Sequence, residues 1–146
     1  MTELLYQKDS YLQEFEAVVS AIDPESHAIS LDQTAFYPGG GGQPNDTGLI
    51  ILDGRSIDVI RVKKIDNQVW HTLNPDANLP GPGTNLSAKI NWQRRYQLMR
   101  THSAMHVLCG VVFRDYDALV TGGNMDPLEG RMDFEFETLS KDLVHV

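Results

Sequence analysis

His102 and His106 stand four residues apart in Arg100-Thr-His-Ser-Ala-Met-His106, a stretch without proline. On a helix this spacing turns two rings to within about 40° of each other, so both imidazoles face one side. That is the arrangement with which helical His-x-x-x-His sites grip zinc. Zinc takes about four ligands, about three of them from protein in a catalytic site, so the helix alone leaves the set short. The competing reading is two histidines that simply pack at the edge of an apolar stripe. Cys109, three residues further on, is either a third ligand or a small buried hydrophobe, the commoner state of a cysteine among apolar neighbours.

A second candidate lies upstream in Phe36-Tyr-Pro-Gly-Gly-Gly-Gly-Gln43-Pro-Asn-Asp46-Thr-Gly48. Four successive glycines lose more entropy on ordering than any other run, so a fixed shape there needs a reason. Backbone without side chains can approach a ligand closely and present its N–H groups. No Lys-Ser or Lys-Thr follows, so this is not a phosphate loop, and no nucleotide-binding glycine fingerprint occurs elsewhere. Within the run, Gln43, bringing both a donor and an acceptor, is the polar residue best placed to touch a ligand. Asp46 reads as the cap of a local turn, and the competing reading of the whole segment is a flexible hairpin. His27 and His71 read as packed or surface histidines, and His145 as solvated.

The elements that must hold these groups change character near residue 92. Before it, short runs rich in Val, Ile and Leu alternate with turns: Glu14 to Ile22, Ala28 to Leu31, Gly48 to Leu52, Ser56 to Ile65, Gln68 to Leu73 and Leu86 to Trp92. Asp23-Pro24, Asp53-Gly54 and Asp66-Asn67 supply turns, and the stretch from Asn74 to Gly83 reads as a loop. Closely spaced strands of this kind predict a small antiparallel barrel over residues 1–91. From Gln93 to about Tyr116 a helix is expected, with Leu98, Met105, Leu108 and Val112 as its apolar stripe. Gly122 to Pro127 reads as a turn, Arg131 to Phe136 as a strand, and Leu139 to Val146 as the start of a further helix. The fold class expected is therefore α+β: a barrel, then an incomplete α+β domain over residues 92–146.

The chain has 146 residues, 41% hydrophobic and 22% charged, enough to bury a core. No apolar run approaches the roughly 20 residues of a membrane span, and the N-terminus lacks the profile of a secretory signal. The single cysteine excludes an internal disulfide and fits a reducing, cytoplasmic setting. Net charge is −8, and residues 115–146 carry two basic and eight acidic side chains. Such a chain needs a local basic patch for any nucleic-acid contact. The candidates are Arg61, Lys63 and Lys64, with Arg94, Arg95 and Arg100.

The glycine-rich segment, taken together with Arg95-Tyr-Gln-Leu-Met-Arg-Thr-His102-Ser-Ala-Met-His106-Val-Leu108, resembles the editing domain of alanyl-tRNA synthetase and, more closely, its freestanding AlaX-type relatives. Ile90-Asn-Trp-Gln-Arg-Arg95 resembles the family's link into the helix, and Arg131-Met-Asp-Phe134 the strand after it. The resemblance implies an N-terminal barrel like the second domain of elongation factors, followed by an α+β editing domain. It implies a metal-dependent hydrolase acting in trans on tRNA(Ala) mischarged with serine or glycine. Zinc would be held by His102 and His106 together with a more distant Cys-x-x-x-His pair, for which no counterpart exists in these 146 residues. The glycine loop, with Gly40, Gly41, Gly42 and Gln43, would close over the active site, and Thr121 is the match for a threonine that recognises the serine hydroxyl. The chain thus reads as the N-terminal portion of an editing protein whose short form is impaired or inactive. The alternative is a non-catalytic module that binds tRNA or a synthetase. A face left uncovered by the incomplete domain would favour self-association.

Overall fold

The computed structural model describes residues 1–137. The reading of a helix from Leu139 and of His145 as solvated falls outside them. Two compact units divide the chain: Met1–Gly40 with Pro44–Arg95, and Gly41–Gln43 with the residues from Tyr96 onward.

The first unit is a closed antiparallel barrel. Its strands are β2 (Glu14–Asp23), β3 (Ala28–Leu31), β5 (Gly48–Leu52), β6 (Arg55–Ile65), β7 (Gln68–Leu73) and β8 (Asn85–Ile90). Around the barrel they run β2-β3-β7-β6-β5-β8. Two short strands, β1 (Glu3–Leu4) and β4 (Gln33–Thr34), pair in parallel beside it. Alternation along the strands fills the interior: Val69, His71 and Leu73 of β7 are buried, as are Leu86, Ala88 and Ile90 of β8. Each fully buried aliphatic side chain contributes roughly 1.5–3 kcal/mol, so these inward positions hold the barrel closed. Asp53 and Gly54 both have positive φ, the conformation a two-residue hairpin turn needs between β5 and β6.

One core position is polar. His71 is fully buried, its Nδ1–H donating to the Ile29 carbonyl (3.2 Å) and its Nε2 accepting from the Thr34 hydroxyl (2.9 Å). The Phe36 N–H in turn donates to Thr34 Oγ1, and the Phe36 ring packs edge-on against the imidazole. A histidine in the barrel core thus anchors the chain where it enters the glycine-rich segment.

Helix α1 (Trp92–Tyr116) starts one residue earlier than expected, because Asn91 caps it. The Asn91 side chain accepts from the Arg94 N–H, satisfying a donor left open in the first turn. β8 therefore ends at Ile90, and Trp92 belongs to the helix rather than to a closing strand. The helix ends at Asp117, whose positive φ and N–H bond to the Phe113 carbonyl form a left-handed cap.

In the second unit, β9 (Leu119–Asp126) and β10 (Glu129–Glu135) form an antiparallel hairpin. The Gly122–Pro127 stretch, expected as a turn, is mostly strand, and the reversal falls at Pro127–Leu128. The glycines there serve close packing instead: a Cβ on Gly123 would sit 2.9 Å from the Arg131 carbonyl oxygen. Of the predicted helical stripe, Leu98 is fully buried, Met105 and Val112 are half-buried, and Leu108 is exposed.

Candidate functional site

The glycine-rich segment is fixed at its base before it reaches the site. The Tyr37 N–H donates to the Asp46 carboxylate, and the Asp46 N–H donates back to the Tyr37 carbonyl. Asp46 also pairs with Arg95 from the first turn of α1 through two Nε contacts of 3.0 Å and a closer Nη2 contact. The two side chains are only 1% and 4% exposed. The same guanidinium donates to the carbonyls of Ala35 and Ser10, so it is fully engaged. Asp46 is thus a member of a buried ion pair rather than a simple turn cap. Arg95 is removed from the candidate nucleic-acid contacts, and Arg94 is spent on the Asn45 carbonyl.

Within the second unit, Gly42 has φ +83° and its carbonyl accepts from the Met125 N–H (3.1 Å). A Cβ at Gly42 would stand 2.7 Å from the Gly123 carbonyl oxygen, so only glycine fits beside β9. The next residue, Gln43, reaches α1: its Oε1 lies 2.7 Å from His102 Nδ1. An oxygen there requires the proton on Nδ1, which leaves Nε2 of His102 as an acceptor. That Nε2 faces Nε2 of His106 at 3.0 Å, with the rings stacked 4.9 Å apart.

The paired imidazoles open on a cleft of about 180 Å³ whose walls include Gly41, Cys109, Met105, Val120, Met125 and Met132. Gly41, Gln43, His102, His106 and Cys109 therefore meet in one place. Thr121 does not join them. Its neighbours Val120 and Gly122 border the cleft, while Thr121 is exposed and donates to the Asp133 carbonyl (3.3 Å). Along a strand, successive side chains take opposite faces, which is why Thr121 is turned away. The sequence carries no signal for Met125, a buried side chain on the cleft wall, because a methionine within Gly-Gly-Asn-Met-Asp-Pro reads as part of a turn.

The donor set fits a metal in part. Two imidazole nitrogens converge on one point, and an amide oxygen behind His102 holds the tautomer that a ligand needs. Among the described residues, no group of three or more His, Cys, Asp or Glu side chains is gathered to hold an ion. The pair supplies two ligands of such a site.

The family model described as tRNA synthetases class II (A) matches residues 5–94. The alanyl-tRNA editing protein AlaX-M of Saccharolobus solfataricus is 42% identical over 139 residues, covering 94% of this chain and 58% of that protein. Its counterpart in Methanosarcina acetivorans is 38% identical over 148 residues, covering 97% and 60%. An alanine–tRNA ligase of Saccharolobus islandicus is 37% identical over 148 residues, 98% of this chain but 16% of the ligase. The chain belongs to the class II (A) tRNA synthetase family, among its AlaX-type alanyl-tRNA editing members. It spans about three-fifths of the length of the editing proteins it matches. No helix among the described residues is long and apolar enough to cross a membrane.

Proposed function

We propose that the cleft beside His102 and His106 is the acyl site of a trans-editing deacylase that hydrolyses Ser- or Gly-tRNA(Ala). The observation that carries this reading is the Gln43–His102–His106 chain, which aims two imidazole nitrogens at one point on the wall of a small cleft. A zinc ion would be held by His102 and His106 with ligands from beyond the described residues. When bound, it supplies Lewis-acid chemistry, activating water or anchoring the esterified amino acid.

The remaining work falls to the chain itself. Gln43 holds the His102 ring, and through the ring its Nε2, in register with His106. The Gly41 peptide borders the cleft without a side chain, where backbone N–H groups can meet the charge that develops on the ester oxygen during attack. Hydrolysis adds water across the ester: the carbonyl carbon gains a hydroxyl, its bond to the ribose oxygen breaks, and that oxygen leaves with a proton. The cleft is smaller than the ~300 Å³ at which drug-sized ligand sites begin, which suits a small acyl group.

Discrimination against alanine needs a polar group that only the seryl hydroxyl satisfies, since leaving that group unpaired with alanine is costly. In the described wall, only the imidazoles, Cys109 and peptide groups are polar, so the hydroxyl is read there and not by Thr121.

The test is hydrolysis of Ser-tRNA(Ala) and Gly-tRNA(Ala) by the chain and by His102→Ala, with zinc content measured on both. Zinc bound by the parent and lost in the variant, together with hydrolysis that is lost with it, supports the reading. Equal hydrolysis by both proteins refutes the site. A folded chain that binds tRNA(Ala) without hydrolysing either ester favours the non-catalytic binding module.

A further inference from the structure

The cations of this acidic protein are not distributed evenly among partners. Lys8, Lys89, Arg95, Arg114 and Arg131 each have a carboxylate within ion-pair distance. Arg61, Lys63 and Lys64 have none among the described residues, and all three are exposed. Three like charges within four residues repel one another, and twenty acidic side chains were available to relieve them. Their isolation on one strand makes a local positive field in a chain of net charge −8.

The backbone is shaped to present them. Val59 and Val62 are both buried, with two exposed residues between them, because a bulge interrupts the pairing of β6 with β7 between Val59 and Arg61. Regular alternation from Val59 would send Arg61 into the barrel. The bulge re-aims it outward, in phase with Lys63. Across the ladder, Arg61 stands opposite Thr72 and Lys63 opposite Trp70, whose neighbours on β7, Val69 and His71, point inward. A half-buried indole therefore lies on the outer face of the barrel beside two unpaired cations.

We infer that this face of the barrel, formed by Arg61, Lys63 and Trp70 with the exposed Lys64 next to them on the other side of β6, is an RNA-binding surface, its cations on phosphates and the indole under an unstacked base. Cations alone would suit any polyanion. A large aromatic ring set among them is the combination that nucleic-acid surfaces use, since every base offers a stacking face. The inference deepens the deacylase reading and rests on it for the identity of the RNA, by assigning part of the tRNA body to the barrel.

The experiment measures binding of uncharged tRNA(Ala) transcript to the full chain by fluorescence anisotropy between 50 and 200 mM salt. Arg61→Gln/Lys63→Gln/Lys64→Gln should weaken binding at least tenfold at the low end. It should also lower the slope of log K against log salt by about 2–3, one unit for roughly each phosphate left without its cation. Trp70→Leu should weaken binding about tenfold with the slope unchanged, because stacking is not a charge effect. Thermal melts confirm that each variant is folded, and the triple change alters only exposed side chains.

A triple variant that keeps the parent affinity and slope overturns the assignment. So does a parent chain that fails to bind the transcript at low salt, or that binds anionic phosphatidylserine vesicles more tightly than RNA. If RNA binding follows the patch while His102→Ala hydrolyses Ser-tRNA(Ala) as fast as the parent, this surface stands and the deacylase reading falls.

Discussion

Gln43 and His102 are 59 residues apart in the chain and 2.7 Å apart in space, amide oxygen to Nδ1. The hydrogen bond joins the glycine-rich segment to the histidine helix, and it fixes the tautomer of the ring that faces His106. Gln43→Ala leaves the ring free to rotate and to change tautomer. Removing a partner that orients a ligating histidine costs about 10–100-fold in metal affinity or activity. Zinc titration and Ser-tRNA(Ala) hydrolysis of Gln43→Ala check this; Gln43→Asn, too short to reach, should behave like the alanine variant.

The Arg95–Asp46 pair makes a different demand. Removing one partner strands the other charge in a buried place, at a cost of about 3–5 kcal/mol. Asp46→Asn and Arg95→Met should each lower the urea midpoint of the barrel sharply. The double variant Asp46→Leu/Arg95→Met should lose less than the two single changes combined, because no charge is left unpaired. Equal urea midpoints for Asp46→Asn and the parent would show that the pair contributes nothing net.

His71 gives the barrel a pH dependence whose sign follows from burial. Loss of hydration in the core pushes its pKa down to about 4, with the bond to the Ile29 carbonyl opposing the shift. In the unfolded chain the ring titrates near 6.5. Between those values the unfolded state holds the extra proton, so this contribution is complete above about pH 6.5 and falls away toward pH 4. It amounts to roughly 3 kcal/mol. Urea midpoints of the parent should drop over that interval, and those of His71→Gln should drop measurably less.

Gly42→Ala tests the loop without touching the imidazoles. The added Cβ meets the Gly123 carbonyl and the backbone must keep a positive φ, which costs a non-glycine residue roughly 1–2 kcal/mol. Hydrolysis should fall more than tenfold while the urea midpoint of the barrel stays within error of the parent.

The barrel is legible in sequence because each strand declares itself locally: alternation in β7 and β8, and Asp53-Gly54 between β5 and β6. The histidine pair is legible for the same reason, since i and i+4 share a helix face whatever surrounds the helix. What escapes is long-range. Asp46 resembles a turn cap because the tendency of aspartate to cap is local, whereas its partner Arg95 lies 49 residues away. The bulge in β6 appears only as a phase break between Val59 and Val62, and nothing local says which residues it turns outward. The β9 glycines look like a turn because glycine usually marks one. Here a close approach to Arg131 and Met105 selects glycine instead.

Around α1 and the β9–β10 hairpin, Val107 is 68% exposed, Leu119 and Leu128 are each 60% exposed, and Phe113 is 51% exposed. Environment-sensitive dyes that brighten on greasy surfaces will find these side chains in the native fold. A dye-monitored melting curve of this chain should therefore begin bright and show a shallow rise, although calorimetry records a cooperative transition for the barrel. Intrinsic tryptophan emission, from Trp70 and Trp92 in the barrel unit, is the better optical probe of its unfolding.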